Sequence, residues 1–373
     1  VAVYDVRIEI HIRHELKNAF AEVSKALAVN KNIPILEGIK LAAHGDTLTL
    51  SAYNQELYIE KTIPADIYSE GELVVNGRIF TDYANKVSNR DRIEIEKGIK
   101  NKLSFKLGKS FSEINYYEIA NFPDLGQYDE EVSFEMKQSD LKELLERAIF
   151  CVSMNDNRIL LKSCNIEVKG ESVEAVCLDG FRVGISRKKP EQKKGVFKSV
   201  VLGKTISDII KILADNDDKV VVSKYNNNVI FDLGHTKIRT STVDGEFYKY
   251  ENNLPKTIRT EIVIKKDELE ECLTRAGIIS RESYYNTVII NIEDGSMNIV
   301  AESEKGKVDE VIDVQMTGEP LKICLNNKYL QEAVGRIKED YIRIKFDGGT
   351  RPIMVEKLEG DEFRCIILPV RVV

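Results

Sequence analysis

Tryptophan is absent from this chain of 373 residues, and the 22 glycines and 8 prolines are scattered. No Gly/Ser- or Pro-rich stretch is long enough to serve as a linker, so any domains must abut through short turns. The six cysteines (Cys151, Cys164, Cys177, Cys272, Cys324 and Cys365) never approach closer than 13 positions. That spacing excludes a Cys-x-x-Cys metal or redox pair and fits reduced, mostly buried thiols in a cytoplasmic protein. Long apolar runs are also missing: nothing approaches the ~18 uncharged apolar residues of a membrane span. The first twenty residues carry Asp5, Arg7, Glu9, Arg13, Glu15 and Lys17, which is not the pattern of a secretory signal. Positive charge is in deficit, 54 Lys and Arg against 61 Asp and Glu, a net charge of -7. Coating nucleic acid or anionic membrane by bulk charge is thereby excluded, although a local basic surface is not.

Catalytic signatures are equally scarce. The chain holds no Gly-x-x-x-x-Gly-Lys-Ser/Thr loop, no Gly-x-Gly-x-x-Gly and no Gly-x-Ser-x-Gly elbow. Of the four histidines, His11, His14, His44 and His235, the first two are spaced i, i+3 on an alternating strand and so face opposite sides. Acid-rich spots at Asp129 to Glu131 and Asp215 to Asp218 flank elements as solvated turns do. No metal site, cofactor or catalytic residue is expected.

What the sequence has is repetition. Leu16, Ala19, Phe20, Val23 and Leu27 form the apolar stripe of a helix, which recurs as Leu141, Leu144, Leu145, Ala148 and Val152 and again as Leu269, Cys272, Leu273 and Ala276. A second helical stripe falls once in each interval: Phe80, Tyr83, Ala84 and Val87; Ile206, Ile209, Ile210 and Leu213; Leu330, Ala333, Val334 and Ile337. Alternating apolar strands precede the helices, as in Val6, Ile8, Ile10 and Ile12 or Val132, Phe134 and Met136, and further strands follow them. Ser139 and Asp140, and Asp267 and Glu268, suit helix starts. Asn226-Asn227-Asn228 and Asp347-Gly348-Gly349 are hairpin turns in composition. The reading is α+β: three tandem similar domains, 1–130, 131–258 and 259–373, each with two helices packed on antiparallel sheet. Six copies of one unit then make an arc or a ring. Such a repeat suits binding better than one asymmetric active site.

Four segments make the pattern specific: Ile33-Pro34-Ile35-Leu36, Asn121-Phe122-Pro123-Asp124, Leu178-Asp179-Gly180-Phe181-Arg182-Val183 and Ile366-Ile367-Leu368-Pro369-Val370-Arg371. In this order and spacing they resemble the bacterial β sliding clamp, the processivity subunit of DNA polymerase III, over essentially the whole chain. The resemblance implies the DNA clamp fold, no enzymatic activity, and a head-to-tail homodimer closing a ring around double-stranded DNA without sequence specificity. Twelve helices lining such a ring, at about 10 Å each, enclose a circle of axes ~38 Å across and leave a hole of ~28 Å. It also implies partners: the replicative polymerase (the α subunit), the clamp loader complex and other proteins that carry a clamp-binding motif. A membrane is not among them.

The family's peptide pocket carries over residue by residue. One wall is Leu161, Leu178, Gly180, Phe181, Arg182 and Val183, and the other is Ile366, Ile367, Leu368, Pro369, Val370 and Arg371. Tyr248, Asn326 and Tyr329 stand at the rim, with Arg182 or Tyr329 orienting the peptide by hydrogen bonds. Three departures alter that rim. Phe181 stands where the family usually has His, the segment Phe247-Tyr248-Lys249-Tyr250 replaces a Phe-Pro-Asp pattern, and Asn252 replaces a longer side chain. Candidate phosphate neighbours are Lys25, Lys31, Lys86, Arg147, Asn155, Arg158, Lys211 and Arg336. Glu143, Glu146, Asp208 and Glu332 share those faces, so the lining reads as mixed in charge. The competing expectations are a clamp-like interaction scaffold that does not encircle DNA and a carboxylate-dependent hydrolase.

Overall fold

The computed structural model describes residues 7–11, 14–28, 33–86, 92–98, 101–107, 109–119, 122–123, 126 and 132–371. Lys31, Val6, Ile12, Val87, Asn121 and Asp124 lie outside them. Six α-helices stand among the described residues: α1 (His14–Val23), α2 (Gly77–Lys86), α3 (Gln138–Ile149), α4 (Gly203–Ile210), α5 (Lys266–Ser280) and α6 (Asn327–Val334). They fall where the two apolar stripes lie, because each stripe is the buried face. Leu16, Ala19, Phe20 and Val23 of α1 are all buried, as are Leu141, Leu144, Leu145 and Ala148 of α3 and Leu269, Cys272, Leu273 and Ala276 of α5. The second-stripe helices are shorter than their stripes. Leu213 and Ile337 are buried from the turns after α4 and α6. Helix α3 begins at Gln138, so Ser139 lies inside its first turn rather than capping it.

The chain packs as two compact units. One comprises residues 1–138, 191–197 and 211–242; the other comprises 139–190, 198–210 and 243–373. The first unit is built on a sheet of fourteen antiparallel strands. Within it, Thr236–Ser241 pairs with Leu57–Pro64, Ile238 facing Ile59, so strands of the middle repeat extend the sheet of the first. Helix α1 lies on this sheet, and Phe20 meets Phe80 of α2 at 4.6 Å between ring centroids.

The second unit holds a nine-stranded and a four-stranded antiparallel sheet. In the larger, Ser172–Leu178 and Arg182–Lys188 form a hairpin, and Arg182–Lys188 pairs on its other edge with Phe363–Ile367, Val183 facing Ile366. The smaller contains Thr287–Glu293 paired with Leu321–Asn326, which leads into α6. These two junctions position the candidate site.

Candidate functional site

The hairpin turn after Leu178 is closed by one carboxylate. Asp179 Oδ1 accepts from the backbone N–H of Phe181 (2.9 Å) and of Arg182 (3.0 Å), while Oδ2 accepts from Arg182 Nε (3.0 Å). Gly180 sits at φ 91°, a conformation that side chains disfavour, which is why Asp-Gly stands at this corner. Phe181 is thrown outward, 58% exposed, and its carbonyl accepts from Leu368 N at 2.9 Å, tying the C-terminal segment to the turn.

Around that tie lie two adjoining cavities. The first, of about 170 Å³, is lined by Leu161, Leu178, Gly180, Phe181, Arg182, Val183, Ile366 and Leu368, together with Arg158, Tyr248 and Tyr250. Beneath it Leu161, Val176, Leu178, Val183, Ile185, Val200, Phe247, Tyr250 and Ile366 pack as one buried cluster. The second cavity, of about 340 Å³, is lined by Phe181, Asn326, Tyr329, Leu368, Pro369, Val370 and Arg371, with Tyr285. All but one of the pocket residues inferred from sequence therefore line one cavity or the other. The exception is Ile367. It is fully buried, and alternation along the strand turns it to the side opposite Ile366, into the core.

Arg182 is not placed to orient a ligand as expected. Only 7% exposed, it donates to Asp179, to Glu332 and, at 2.8 Å, to the Phe150 carbonyl, and its guanidinium lies 4.3 Å from the Tyr329 ring centroid. It braces the walls. Asn326 is likewise engaged: its Oδ1 caps α6 by accepting from Tyr329 N, and its Nδ2 donates to the Tyr285 carbonyl at 2.7 Å. Tyr248 remains at the mouth, 40% exposed.

Sequence reasoning missed Tyr250, which lines the first cavity from a buried position and donates its hydroxyl to Glu174. Glu174 has no exposed surface and also accepts from Lys169 Nζ at 2.9 Å and Arg187 Nε at 2.7 Å. Burial favours its neutral form, but the bonds from Lys169, Tyr250 and Arg187 outweigh burial and hold the carboxyl below the ordinary range. The signal for Tyr250 was present, since Phe247 and Tyr250 are spaced i, i+3 and both are buried, leaving Tyr248 outside.

The candidate phosphate neighbours scatter. Arg147 is buried and held by Glu143 at 2.9 Å, which removes it from any solvent-facing lining. Arg158 stands at the pocket mouth, forked onto Asp156 by Nε (3.0 Å) and NH2 (2.8 Å); the hydrogen bonds from Arg158 pull the Asp156 carboxyl down to about 2. Arg336 is half-buried, 5.1 Å from the Phe150 ring centroid. Lys86, Asn155 and Lys211 are exposed, and Lys25 is half-buried with Nζ donating to the Ala21 carbonyl. Among the described residues no group of three His, Cys, Asp or Glu could hold a metal ion, and no helix is long and apolar enough to cross a membrane.

Comparison with known proteins identifies the family. Family models of the DNA polymerase III beta subunit match in sequence order: the N-terminal domain over residues 8–126, the central domain over 135–249 and the C-terminal domain over 251–371. The beta sliding clamp of Bacillus subtilis is 27% identical, covering 96% of this chain and 98% of that one; that of Halalkalibacterium halodurans is 27% identical over 94% and 95%. Among solved structures, the Bacillus subtilis sliding clamp superposes with a TM-score of 0.93 at 26% identity, covering 99% of this chain and all of that one. A DNA polymerase III beta subunit from Eubacterium rectale gives 0.91 at 27%, covering 98% and 100%. The chain belongs to the DNA polymerase III beta subunit family, the bacterial sliding clamps. Its three clamp domains make it a DNA-encircling processivity factor of replication, partnered with DNA, with the polymerase and with a second copy of itself.

Proposed function

We propose that two copies join head to tail, first domain to third, and close a ring that holds duplex DNA by topology while the two cavities dock a linear motif of its partners. Those partners are the replicative polymerase α subunit, the clamp loader and other proteins that carry the motif. The observation that carries the docking reading is the pair of cavities meeting at Phe181 and Leu368: a buried aliphatic floor for a Leu or Phe anchor, beside a wider aromatic-lined space. With Phe181 and Tyr248 at its mouth, the site presents two aromatic rings to the motif.

Domain bounds of 1–130, 131–258 and 259–373 go with this reading, as do a cytoplasmic location and the absence of catalysis. Lys25, Lys86, Asn155, Arg158, Lys211 and Arg336 are its phosphate neighbours, all at least partly exposed, whereas Arg147 is buried against Glu143. Family membership along the full length favours DNA encirclement over a scaffold that binds protein alone.

The test is retention on plasmid. Loaded on nicked circular DNA by an ATP-driven loader, the protein should survive a high-salt wash that strips unloaded protein, and should be lost when the circle is linearised, since the few phosphate contacts of an acidic chain release only about one counterion each. Equal retention on both forms would sink the topological mechanism.

A further inference from the structure

The second cavity does not end at Arg371. Sharing Pro369, Val370 and Arg371 with it is a wider groove of about 770 Å³. Its floor includes Ile323 and Cys324 on Leu321–Asn326, and Val370 N donates to the Cys324 carbonyl at 2.8 Å, fixing the C-terminal segment as one wall. The opposite wall is the turn carrying Gly349 and Arg351. A Cβ on Gly349 would lie 2.3 Å from the Lys322 carbonyl oxygen, so backbone is pressed on backbone and the groove is held open by main chain rather than by side-chain tips.

Lys322, Arg351 and Arg371 all line this groove and are all exposed, and among the described residues no acidic side chain lines it. In a chain of net charge -7, three cations gathered without an acid among them form a local field opposite in sign to the whole. Ile289 and Cys324, paired across neighbouring strands and so on one face of the sheet, give the groove an apolar floor that suits an extended peptide better than a phosphate backbone.

We infer that the groove receives an acidic flank of the same partner segment whose apolar anchor fills the pocket. The inference rests on the docking reading above and adds to it the chemistry of the partner: an apolar motif continued by Asp or Glu on the side that runs past Pro369. Rim ion pairs are individually weak, so two or three of them together tighten binding by about tenfold at low salt.

Fluorescence anisotropy on the full chain tests this with a neutral labelled peptide bearing Leu and Phe anchors, and with the same peptide extended at either end by three Glu or by three Ser. One Glu-extended peptide should bind about tenfold tighter than its Ser counterpart at low ionic strength, and the gain should fade as the Debye length shrinks toward ~3 Å near 1 M salt. The double variant Lys322→Ser/Arg351→Ser should lose that gain while holding the neutral peptide as before. Equal affinity for the Glu and Ser peptides, or a gain that survives the double variant, overturns the acidic-flank inference while leaving the pocket intact. A double variant that weakens binding of a labelled DNA duplex, with no acidic-peptide gain in the parent, assigns the groove to nucleic acid instead. Failure of the neutral peptide to bind at all overturns the pocket reading and this inference with it.

Discussion

Glu174 is a carboxylate with no exposed surface, and its three donors reach it from three directions. Charged groups are tolerated inside a protein only when so satisfied, and removing one partner is costly because the remainder stay buried. Its depressed pKa fixes a sign. A carboxyl held below its ordinary 4.5 contributes stability that is fully present above that value and is lost as the pH falls through the lower folded value. Denaturant midpoints followed from neutral pH into acid should therefore fall more steeply for the parent below about 4.5 than for Glu174→Gln, which should start lower at neutral pH. Parallel curves would show that Glu174 does not carry the acid sensitivity. At this scale the sequence was legible where chemistry is monotonous. Leu161, Leu178, Val183 and Ile366 could hardly sit elsewhere than in an apolar wall. Arg147, Arg158 and Arg182 were not legible, because an arginine on a helix or turn reads the same whether it faces solvent or is paired with Glu143, Asp156 or Asp179.

The second helix of each repeat opens on a buried small or bonded residue: Gly77 in α2, Gly203 in α4 and Asn327 in α6. A Cβ on Gly77 would meet Leu27, and one on Gly203 would lie 2.9 Å from the Lys162 carbonyl oxygen and 2.8 Å from Val152 Cγ1. In the third copy the space is divided differently. Asn327 fills it, its Nδ2 donating to the Leu273 carbonyl at 3.0 Å, and glycine appears instead at Gly277 on α5, where a Cβ would meet that Nδ2 at 3.1 Å. Gly203→Ala should accordingly cost about 1–3 kcal/mol through overpacking, read as a lowered thermal midpoint; a neutral outcome would mean that the helix start shifts freely. Stripes of helical spacing gave the six helices, since burial follows periodicity. Their shared closeness at the first residue of the second helix could not be read, since one copy of three has moved its glycine to another helix. The segment after Phe363–Ile367 is a second element-scale case. Its Leu368 to Arg371 belong to no strand and are tied by Leu368 N to Phe181 O and Val370 N to Cys324 O. Deleting 369–373 should abolish binding of an apolar motif peptide and leave the thermal midpoint within a few degrees, because less than about 1 kcal/mol of hydrogen bonding is lost. Retained peptide affinity would place the docking site elsewhere.

Three sequence repeats and two packing units do not coincide, and the difference lies in the middle of the chain. Strands at 132–137 and 219–241 belong to the fourteen-stranded sheet, whereas 163–188 and 198–202 belong to the nine-stranded one. Family models divide the chain by ancestry, in thirds; hydrogen bonds divide it by ladder. Periodicity sees the first kind of boundary and is blind to the second, because strand pairing such as Ile238 with Ile59 leaves no local pattern. A fragment limited to 131–258 should show no cooperative unfolding transition, since it would expose the edge facing Ile59 and the edge facing Ile366 at once. A sharp, reversible melt of that fragment would refute this.

The pairing of Val183 with Ile366 also sets an order in time. A ribosome delivers the turn at Asp179 and Gly180 long before it delivers the strand Phe363–Ile367, so the apolar floor is first assembled with one wall missing. Until Ile366 arrives, Val183 lacks its facing strand and the cluster of Leu161, Leu178 and Val183 stays open on one side. A product stopped short of that strand also lacks Leu368, whose N–H ties to the Phe181 carbonyl, so the turn is left without its brace.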